Sequence, residues 1–322
     1  MRRRHLLKNH KSQYIRFFQK NWIFFVFASI TSVFFSHIRF LENLIYLVLA
    51  LSFLIFGIGH GGVDGKLIET LEPETKLKFY LHYLLKIFSF LIFWYLFPKI
   101  ALLFFLFQSA NHFGESECNQ REYPSPSFKE LLNTIWGMGI LGVEILGHPE
   151  QSVPILEVFC RENLSPITHW GALHPTAIFS FTVSLGTAAV LVSFLNSPRA
   201  AWRTLYLVIF LGTTPLIPGF FAYFSLWHAQ DAIQMQRNGL RRHGLKLSFI
   251  EYLKLAAPFT FLAGVFLGSL VFIEIKSGNN SLHQNSLAPF WAYVFAGIGG
   301  LTAAHATIMK KFLKNTMWQH HH

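Results

Sequence analysis

The sequence predicts an all-α protein, a polytopic bundle of transmembrane helices with roughly eight to ten membrane segments. Three observations predict it: of the 322 residues, 52% are hydrophobic, only 13% are charged, and the apolar residues form long runs. A soluble domain usually carries about 25% charged residues, and a disordered chain has far fewer apolar ones. A water-soluble globule and a disordered chain are therefore both excluded.

Nine apolar runs approach the length that a bilayer span requires, which is about 20 residues and less where flanking groups reach the interface. They are Trp22–Ser36, Leu44–Ile58, Tyr80–Leu96, Ile100–His112, Leu131–Leu146, Thr176–Leu195, Leu205–Trp227, Tyr252–Ile275 and Trp291–Phe312. We assign residues 1–20 to a basic cytoplasmic tail and 21–315 to a single transmembrane domain. Residues 316–322 form a second tail, whose three final histidines resemble the remnant of a tag.

The basic residues predict the orientation of the chain in the membrane. Lys and Arg cluster in residues 1–20, in Arg237–Lys246 and in Lys310–Lys314, and such clusters face the cytoplasm of an inner membrane. This bias accounts for the net charge of +11 without nucleic acid, for which no basic stripe exists.

Nine full spans starting from a cytoplasmic amino terminus would put the last lysines on the wrong side. Either Ser152–Leu164 is a partial element, too short to cross, or the two helices around Pro98 are one kinked helix. We favour the partial element because it keeps four histidines at the same depth in the membrane.

Those four histidines are the candidate functional residues. Each stands at the carboxyl end of an apolar run, and they are His60, His112, His228 and His305. Ionisable groups inside spans are costly and usually functional, and neutral imidazole is a common ligand of iron, copper and zinc. The sequence therefore predicts a divalent metal site within the bundle.

Three of the four histidines have a carboxylate close by in the sequence, which could accept the second ring N–H and fix the tautomer. These carboxylates are Asp64 for His60, Glu115 and Glu117 for His112, and Asp231 for His228. His305 has no such neighbour and is the weakest candidate. Trp227 is a candidate for lining a substrate slot or for anchoring its helix at the interface.

At these motifs the chain resembles the Brp/Blh family of bacterial and archaeal membrane β-carotene 15,15'-dioxygenases. The family carries, in order, His-Gly-Ala-x-Asp-His, Ser-x-x-His-Phe-Gly, Trp-His-Ser-x-Arg-His and Pro-His-Met. The corresponding segments here are His60–Asp64, Ser109–Gly114, Trp227-His228 and Thr302–His305, in the same order.

The resemblance implies a non-haem Fe(II) with His60, His112 and His228 as ligands. It also implies O₂ as co-substrate and cleavage of β-carotene to two retinals. A rhodopsin is a candidate recipient of the product, which the sequence does not decide. The sequence departs from the family at Ala232, where the late motif has a further ligand histidine. Asp231 and His305 are the candidates for that vacant place.

Three other functions remain open at the level of sequence. A di-iron desaturase or hydroxylase is the least favoured of the three, because it needs clustered H-x-x-x-H and H-x-x-H-H ligands, which the sequence lacks. A b-type haem protein could use His60 and His112. A non-catalytic carotenoid or retinal binder, or a transporter, is favoured by Ala232 and by the broken span at Thr213–Gly219.

Overall fold

The computed structural model describes residues 39–71, 76–117, 123–277 and 288–318. All regular structure in these ranges is helical, so the predicted all-α class is confirmed. The predicted span Trp22–Ser36 and the amino-terminal tail lie outside the described residues.

The first helical rod changes its winding three times. Helix α1 (Arg39–Ser52) continues into a π-helical turn (Phe53–Ile58), a 3₁₀ turn (Gly59–Val63) and helix α2 (Asp64–Leu71). The helices that follow are α3 (Lys76–Leu96), α4 (Pro98–Glu117), α5 (Pro126–Leu146), α6 (Pro149–Cys160), α7 (Ser165–Leu173), α8 (Pro175–Asn196) and α9 (Pro198–Thr213). Next come α10 (Leu216–Ala222), a second π-helical turn (Tyr223–His228), α11 (Ala229–Arg242), α12 (Phe249–Ser277) and α13 (Ala288–Trp318).

Five helices among the described residues are long and apolar enough to cross a membrane. They are Leu44–Leu71, Leu77–Leu96, Pro175–Asn196, Phe249–Leu270 and Ala288–Leu313. Each overlaps one of the spans predicted from the sequence, and the first continues 13 residues beyond its predicted end at Ile58. Two further predicted spans lie within α4 and α5, which are long helices of more mixed polarity.

The predicted span Leu205–Trp227 is wrong as a continuous helix. Helix α9 ends at Thr213, and Thr214 is extended with φ −97° and ψ 137°. Thr214 precedes Pro215, and the residue before a proline is driven out of the helical region by steric contact with the ring. The chain therefore restarts as the short helix α10 at Leu216.

The two helices around Pro98 are a hairpin and not one kinked helix. The rings of Phe90 and Phe104 are 6.3 Å apart, as are those of Phe93 and Phe104. Along a single helix, Phe90 and Phe104 would be separated by about 21 Å. Helix α6, which overlaps the predicted partial element, is about 18 Å long and so shorter than a hydrocarbon core of about 30 Å.

Helices α4 and α5 pack backbone against backbone because glycines remove the side chains between them. A Cβ on Gly114 would lie 2.1 Å from the carbonyl oxygen of Asn133, and one on Gly137 would lie 1.9 Å from that of Ala110. Such contact is characteristic of small residues in membrane helix packing. It fixes the height of α4, and with it the height of His112.

Candidate metal centre

The four predicted histidines converge in the interior of the bundle. Ring centroids are 4.7 Å apart for His60 and His305, 4.9 Å for His112 and His228, and 5.0 Å for His112 and His305. All four side chains are at most 5% exposed. The His60 and His228 rings are 5.3 Å apart, so each histidine has at least two others close to it.

The ring nitrogens are close enough to share one ion. One nitrogen from each of His60, His112 and His305 lies within 4.8 Å of the other two. Nε2 of His228 is 3.2 Å from Nε2 of His112. Two nitrogens bound at about 2.0–2.1 Å to one ion are themselves separated by roughly 3 Å, so this last pair is already at ligand spacing.

Two of these histidines lie in turns whose helical winding departs from the α-helix. His60 lies in the 3₁₀ turn, and His228 is the last residue of the second π-helical turn. Single π turns inside helices often mark functional sites, because they break the regular side-chain rotation and release backbone groups. The two π turns also pack on each other, with ring centroids of Phe53 and Phe224 5.4 Å apart.

The backbone carbonyl of His60 is held by two residues that sequence reasoning did not single out. Gln236 donates from Nε2 to this oxygen at 3.1 Å, and Tyr252 donates its hydroxyl to it at 3.3 Å. The side-chain oxygen of Gln236 also contacts the Tyr252 hydroxyl, so the single hydroxyl proton is shared between the two oxygens. Both residues are fully buried, so they fix the 3₁₀ turn that carries His60.

Asp64 contacts His305 and not His60. Its carboxylate oxygens lie 2.8 and 3.0 Å from Nδ1 of His305, and Tyr83 donates its hydroxyl to the same carboxylate at 3.1 Å. The expectation that Asp64 serves His60 is therefore wrong, and His305, which has no carboxylate close by in the sequence, has one in the structure. Residues four apart share a face in an α-helix, but in a 3₁₀ turn with three residues per turn they do not.

Glu115 is the only other predicted carboxylate near the histidine rings. Its Oε2 lies 3.6 Å from Nδ1 of His112, which is a close approach but too long for a hydrogen bond. Glu117 is buried in the field of Arg203 and Asp231 instead. Glu115 therefore lies beside its predicted histidine, whereas Glu117 lies near Arg203 and Asp231.

Asp231 and Trp227 belong to a separate buried group around Arg203. Asp231 accepts a hydrogen bond from the guanidinium of Arg203 at 3.1 Å, and the guanidinium carbon lies 4.7 Å from the centre of the Trp227 ring. The carboxylate predicted to support His228, or to replace the missing ligand, is thus engaged elsewhere. Trp227 packs against Arg203 and is not among the residues that line the cavity at the histidines.

Of the two candidates for the vacant ligand place, the structure brings His305 to the site. Ala232 is buried and has no donor atom. His305 lies between His60 and His112, and Asp64 holds its Nδ1 so that Nε2 is the nitrogen left to bind.

The nitrogens of this cluster fit a metal ion because most of them are otherwise unsatisfied. Both nitrogens of His60, Nδ1 of His112 and of His228, and Nε2 of His305 have no hydrogen-bond partner among the described residues. Leaving a buried polar atom unpaired costs about 1–3 kcal/mol. An ion between the rings would offset that cost for the nitrogens that bind it.

An apolar cavity of about 360 Å³ opens beside the histidines. His60, His112 and His305 contribute to its wall, together with Asp64 and Tyr83. Most of the remaining wall is aliphatic and aromatic. Such a cavity, apolar with a few convergent polar groups, is the usual form of a small-molecule site.

One wall of this cavity is formed by α3 and α12, which are two of the five membrane-length helices. Leu84 and Phe88 from α3 and Leu262 from α12 line the cavity and are 48%, 52% and 60% exposed. Tyr80 and Phe259 stack between the two helices, with ring centroids 5.3 Å apart. The cavity therefore borders the apolar outer surface of the bundle.

Fold and site together define a membrane protein built of helices that gathers buried imidazoles beside an apolar cavity. Residues 51–313 match the family model described as Beta-carotene 15,15'-dioxygenase, and because this match covers well over half of the sequence, the chain belongs to that family. The resemblance seen in the motifs is thereby confirmed. No curated protein and no solved structure is significantly similar to the chain.

Proposed function

We propose that the protein is an Fe(II)-dependent dioxygenase that cleaves the central double bond of β-carotene with O₂ to give two retinals. The observation that carries this proposal is the convergence of four buried histidines beside an apolar cavity, in a member of this family. Membrane-length helices around the cavity support a substrate that dissolves in lipid.

The residues that would hold the iron are His60, His112, His228 and His305. Neutral imidazoles suit Fe(II), and sites with three protein ligands show that iron can be held while leaving positions open. When bound, the iron would supply the open coordination positions at which O₂ is activated. His305 takes the role that Ala232 leaves vacant.

The other residues of the site would position these ligands and exclude water. Asp64 and Tyr83 orient the His305 ring, and such carboxylate support of a ligand histidine tunes metal affinity. The cavity would bind the polyene by apolar contact and set which double bond lies nearest the histidines. The overall reaction places one oxygen atom on each of the two separated carbons, so both oxygen atoms appear in the retinals and no net proton transfer is required.

The setting proposed for this reaction is the inner membrane, with the amino terminus in the cytoplasm. The lipid bilayer would deliver the carotenoid through the wall formed by α3 and α12. A rhodopsin is the proposed recipient of the retinal, because it is an apolar product that stays in the same bilayer.

Expression of the chain in a bacterium that accumulates β-carotene tests this function. We expect retinal in the pigment extract and loss of the orange colour, with neither change in cells that express His228→Ala. Unchanged pigment in iron-replete cells that contain the folded wild-type protein would contradict cleavage. It would then place the chain among non-catalytic carotenoid or retinal binders or transporters, as the loss of a histidine at position 232 suggests.

A further inference from the structure

Helices α3 and α12 leave a fissure between them on the outer surface of the bundle. Their backbones scarcely approach each other, whereas both helices pack closely on α13, and α12 also packs on the 3₁₀ turn that carries His60. The rings of Tyr80 and Phe259, which lie nearly parallel at 19°, bridge the two helices. The seam between α3 and α12 is therefore closed by side chains and not by backbone packing.

The same side chains face the fissure and line the cavity at the histidines. They recur at helical spacing over about 12 Å of α3. They are Tyr80, Leu84 and Phe88 of α3 and Phe259, Leu262 and Phe266 of α12. Leu84, Phe88 and Leu262 are about half exposed or more. Side chains that line an internal cavity and are also exposed mark the place where that cavity meets the outer surface.

The cavity is too small to hold a whole C40 polyene. Its volume is about 360 Å³, near the lower end of the roughly 300–1,000 Å³ of sites for drug-sized ligands, and a C40 carotenoid is larger than most such ligands. Phe224, Ile298 and Thr302 separate it from a smaller cavity of about 80 Å³. The fissure, which reaches the apolar outer surface, can take the part of the polyene that does not fit.

Contacts of α3 hold the fissure beside the histidine cluster. Tyr83 of α3 donates its hydroxyl to Asp64, the carboxylate that contacts His305. Tyr80 packs on α2 at Gly65, where a Cβ would lie 2.7 Å from the Tyr80 hydroxyl oxygen. A polyene in the fissure can therefore reach the imidazole rings without passing another layer of helices.

Resting on the proposed function, we propose that this fissure is a lateral portal through which the polyene leaves the lipid. The bound polyene keeps one arm in the fissure while the other arm fills the cavity. Leu84 and Leu262 set the width of the portal. The arm in the fissure stays among apolar side chains and acyl chains, so binding exposes no apolar surface to water. The site then restricts the size of only one end of the substrate.

Leu84→Trp and Leu262→Trp test the portal, because each places an indole in the fissure. β-Carotene is achiral and gains circular dichroism in its visible band when a chiral site binds it. This signal gives the binding rate on iron-loaded protein in lipid vesicles without oxygen, and kcat/KM is then measured in air. Both quantities should fall about tenfold or more in each variant.

The matched controls are Leu85→Trp and Phe261→Trp. Each is next in sequence to a tested residue, is 62% or 70% exposed, and does not line the cavity. Both quantities should stay within about twofold of wild type. A Tm that falls in Leu84→Trp and Leu262→Trp but not in the controls would show that another part of the protein fills the fissure, and would overturn the proposal.

The one-arm arrangement is tested on wild-type protein, so it does not depend on the folding of a variant. The probes are β-carotene with a palmitoyl ester on one end ring and β-carotene with such an ester on both. The monoester should bind within about threefold of β-carotene, since its acyl chain extends into the lipid. The diester should bind about tenfold more weakly or worse, since one bulky end would have to enter the cavity. Equal binding of both esters would contradict this arrangement.

The outcomes separate this inference from the proposed function. If β-carotene is cleaved but Leu84→Trp and Leu262→Trp behave like their controls, the inference fails and the proposed function stands. If nothing is cleaved in air but the binding rates and the two esters follow the expected pattern, the proposed function fails and the portal stands.

Discussion

Two buried polar clusters on neighbouring elements differ in how their polar atoms are satisfied. In the charged cluster (Arg203, Asp231 and Glu117), a guanidinium is hydrogen-bonded to one carboxylate and lies in the field of another. In the histidine cluster (His60, His112, His228 and His305), the rings face each other, and five of their nitrogens lack partners among the residues that the structure describes.

This difference indicates a structural role for the charged cluster and a ligand-binding role for the histidine cluster. In the charged cluster the guanidinium of Arg203 is hydrogen-bonded to Asp231 and lies close to Glu117, so its charge is balanced by groups of the same chain, although one oxygen of Glu117 has no hydrogen-bond partner among the described residues. The histidine cluster contains only imidazoles, and five of their nitrogens have no partner among the described residues, so we propose that a bound metal ion completes it. Sequence proximity alone assigned Asp231 to the histidines, whereas the pairing of charges assigns it to Arg203.

The largest expected effect is the loss of iron from His228→Ala. Its Nε2 is at ligand spacing from that of His112, so its removal should abolish iron binding and cleavage while the protein remains folded. Iron per chain, measured by mass spectrometry on purified protein, checks this. His82→Ala, at an exposed histidine of α3, is the control and should keep its iron. Equal iron in both variants would contradict the ligand assignment.

Next in size is the loss of stability in Asp231→Ala. Breaking a buried ion pair costs about 3–5 kcal/mol, because the change removes the carboxylate that accepts a hydrogen bond from the guanidinium, and the two side chains are only 11% and 16% exposed. Thermal unfolding in detergent should show a clear decrease in Tm, while iron per folded chain is unchanged.

The matched control for this pair is Glu130→Ala, which breaks the exposed pair with Lys310. Those side chains are 61% and 50% exposed, and such surface pairs contribute about 0–1 kcal/mol. If Asp231→Ala instead released iron at unchanged stability, the separation of the two clusters would be wrong.

A smaller effect is expected from Asp64→Asn. The amide still occupies the space but no longer carries the charge that holds Nδ1 of His305. Iron affinity should fall about 10–100-fold, measured by competition with a chelator. Glu69→Gln, an exposed carboxylate of the same helix α2, is the control. Unchanged affinity in Asp64→Asn would mean that His305 does not depend on this carboxylate.

The smallest effect is expected from Tyr83→Phe, which removes one hydrogen bond to Asp64 at 3.1 Å. A bond of this kind contributes roughly 1 kcal/mol, so iron affinity should decrease only a few-fold. Tyr80→Phe, in the wall of the same cavity, should leave iron affinity unchanged. A loss in Tyr83→Phe larger than that in Asp64→Asn would show that Tyr83 acts by another route.

The sequence predicted which histidines meet but not how they are supported. Each histidine ends an apolar run, and this position in the sequence carries information about depth in the membrane. The partner of Asp64 depends on a 3₁₀ turn within a glycine-rich segment, and α-helical spacing gives the wrong face there. Arg203 and Asp231 lie on different helices, so only the packing of those helices reveals their pairing.

The two residues that hold the His60 carbonyl were not predicted from the sequence, for a related reason. Gln236 and Tyr252 are distant from it in the sequence, and nothing in their local motifs marks them as contacts of that backbone carbonyl. A polar Gln236 on an inward face of α11 was the available signal, because a fully buried amide requires partners.

We propose that four imidazoles hold one iron ion, and metal analysis of the purified protein tests this most directly. Mass spectrometry on protein purified without a metal-affinity step should find about one iron per wild-type chain and almost none in the His60→Ala, His112→Ala, His228→Ala and His305→Ala variants. Wild-type protein without metal after anaerobic loading with Fe(II), or single-histidine variants that keep a full complement, would contradict it.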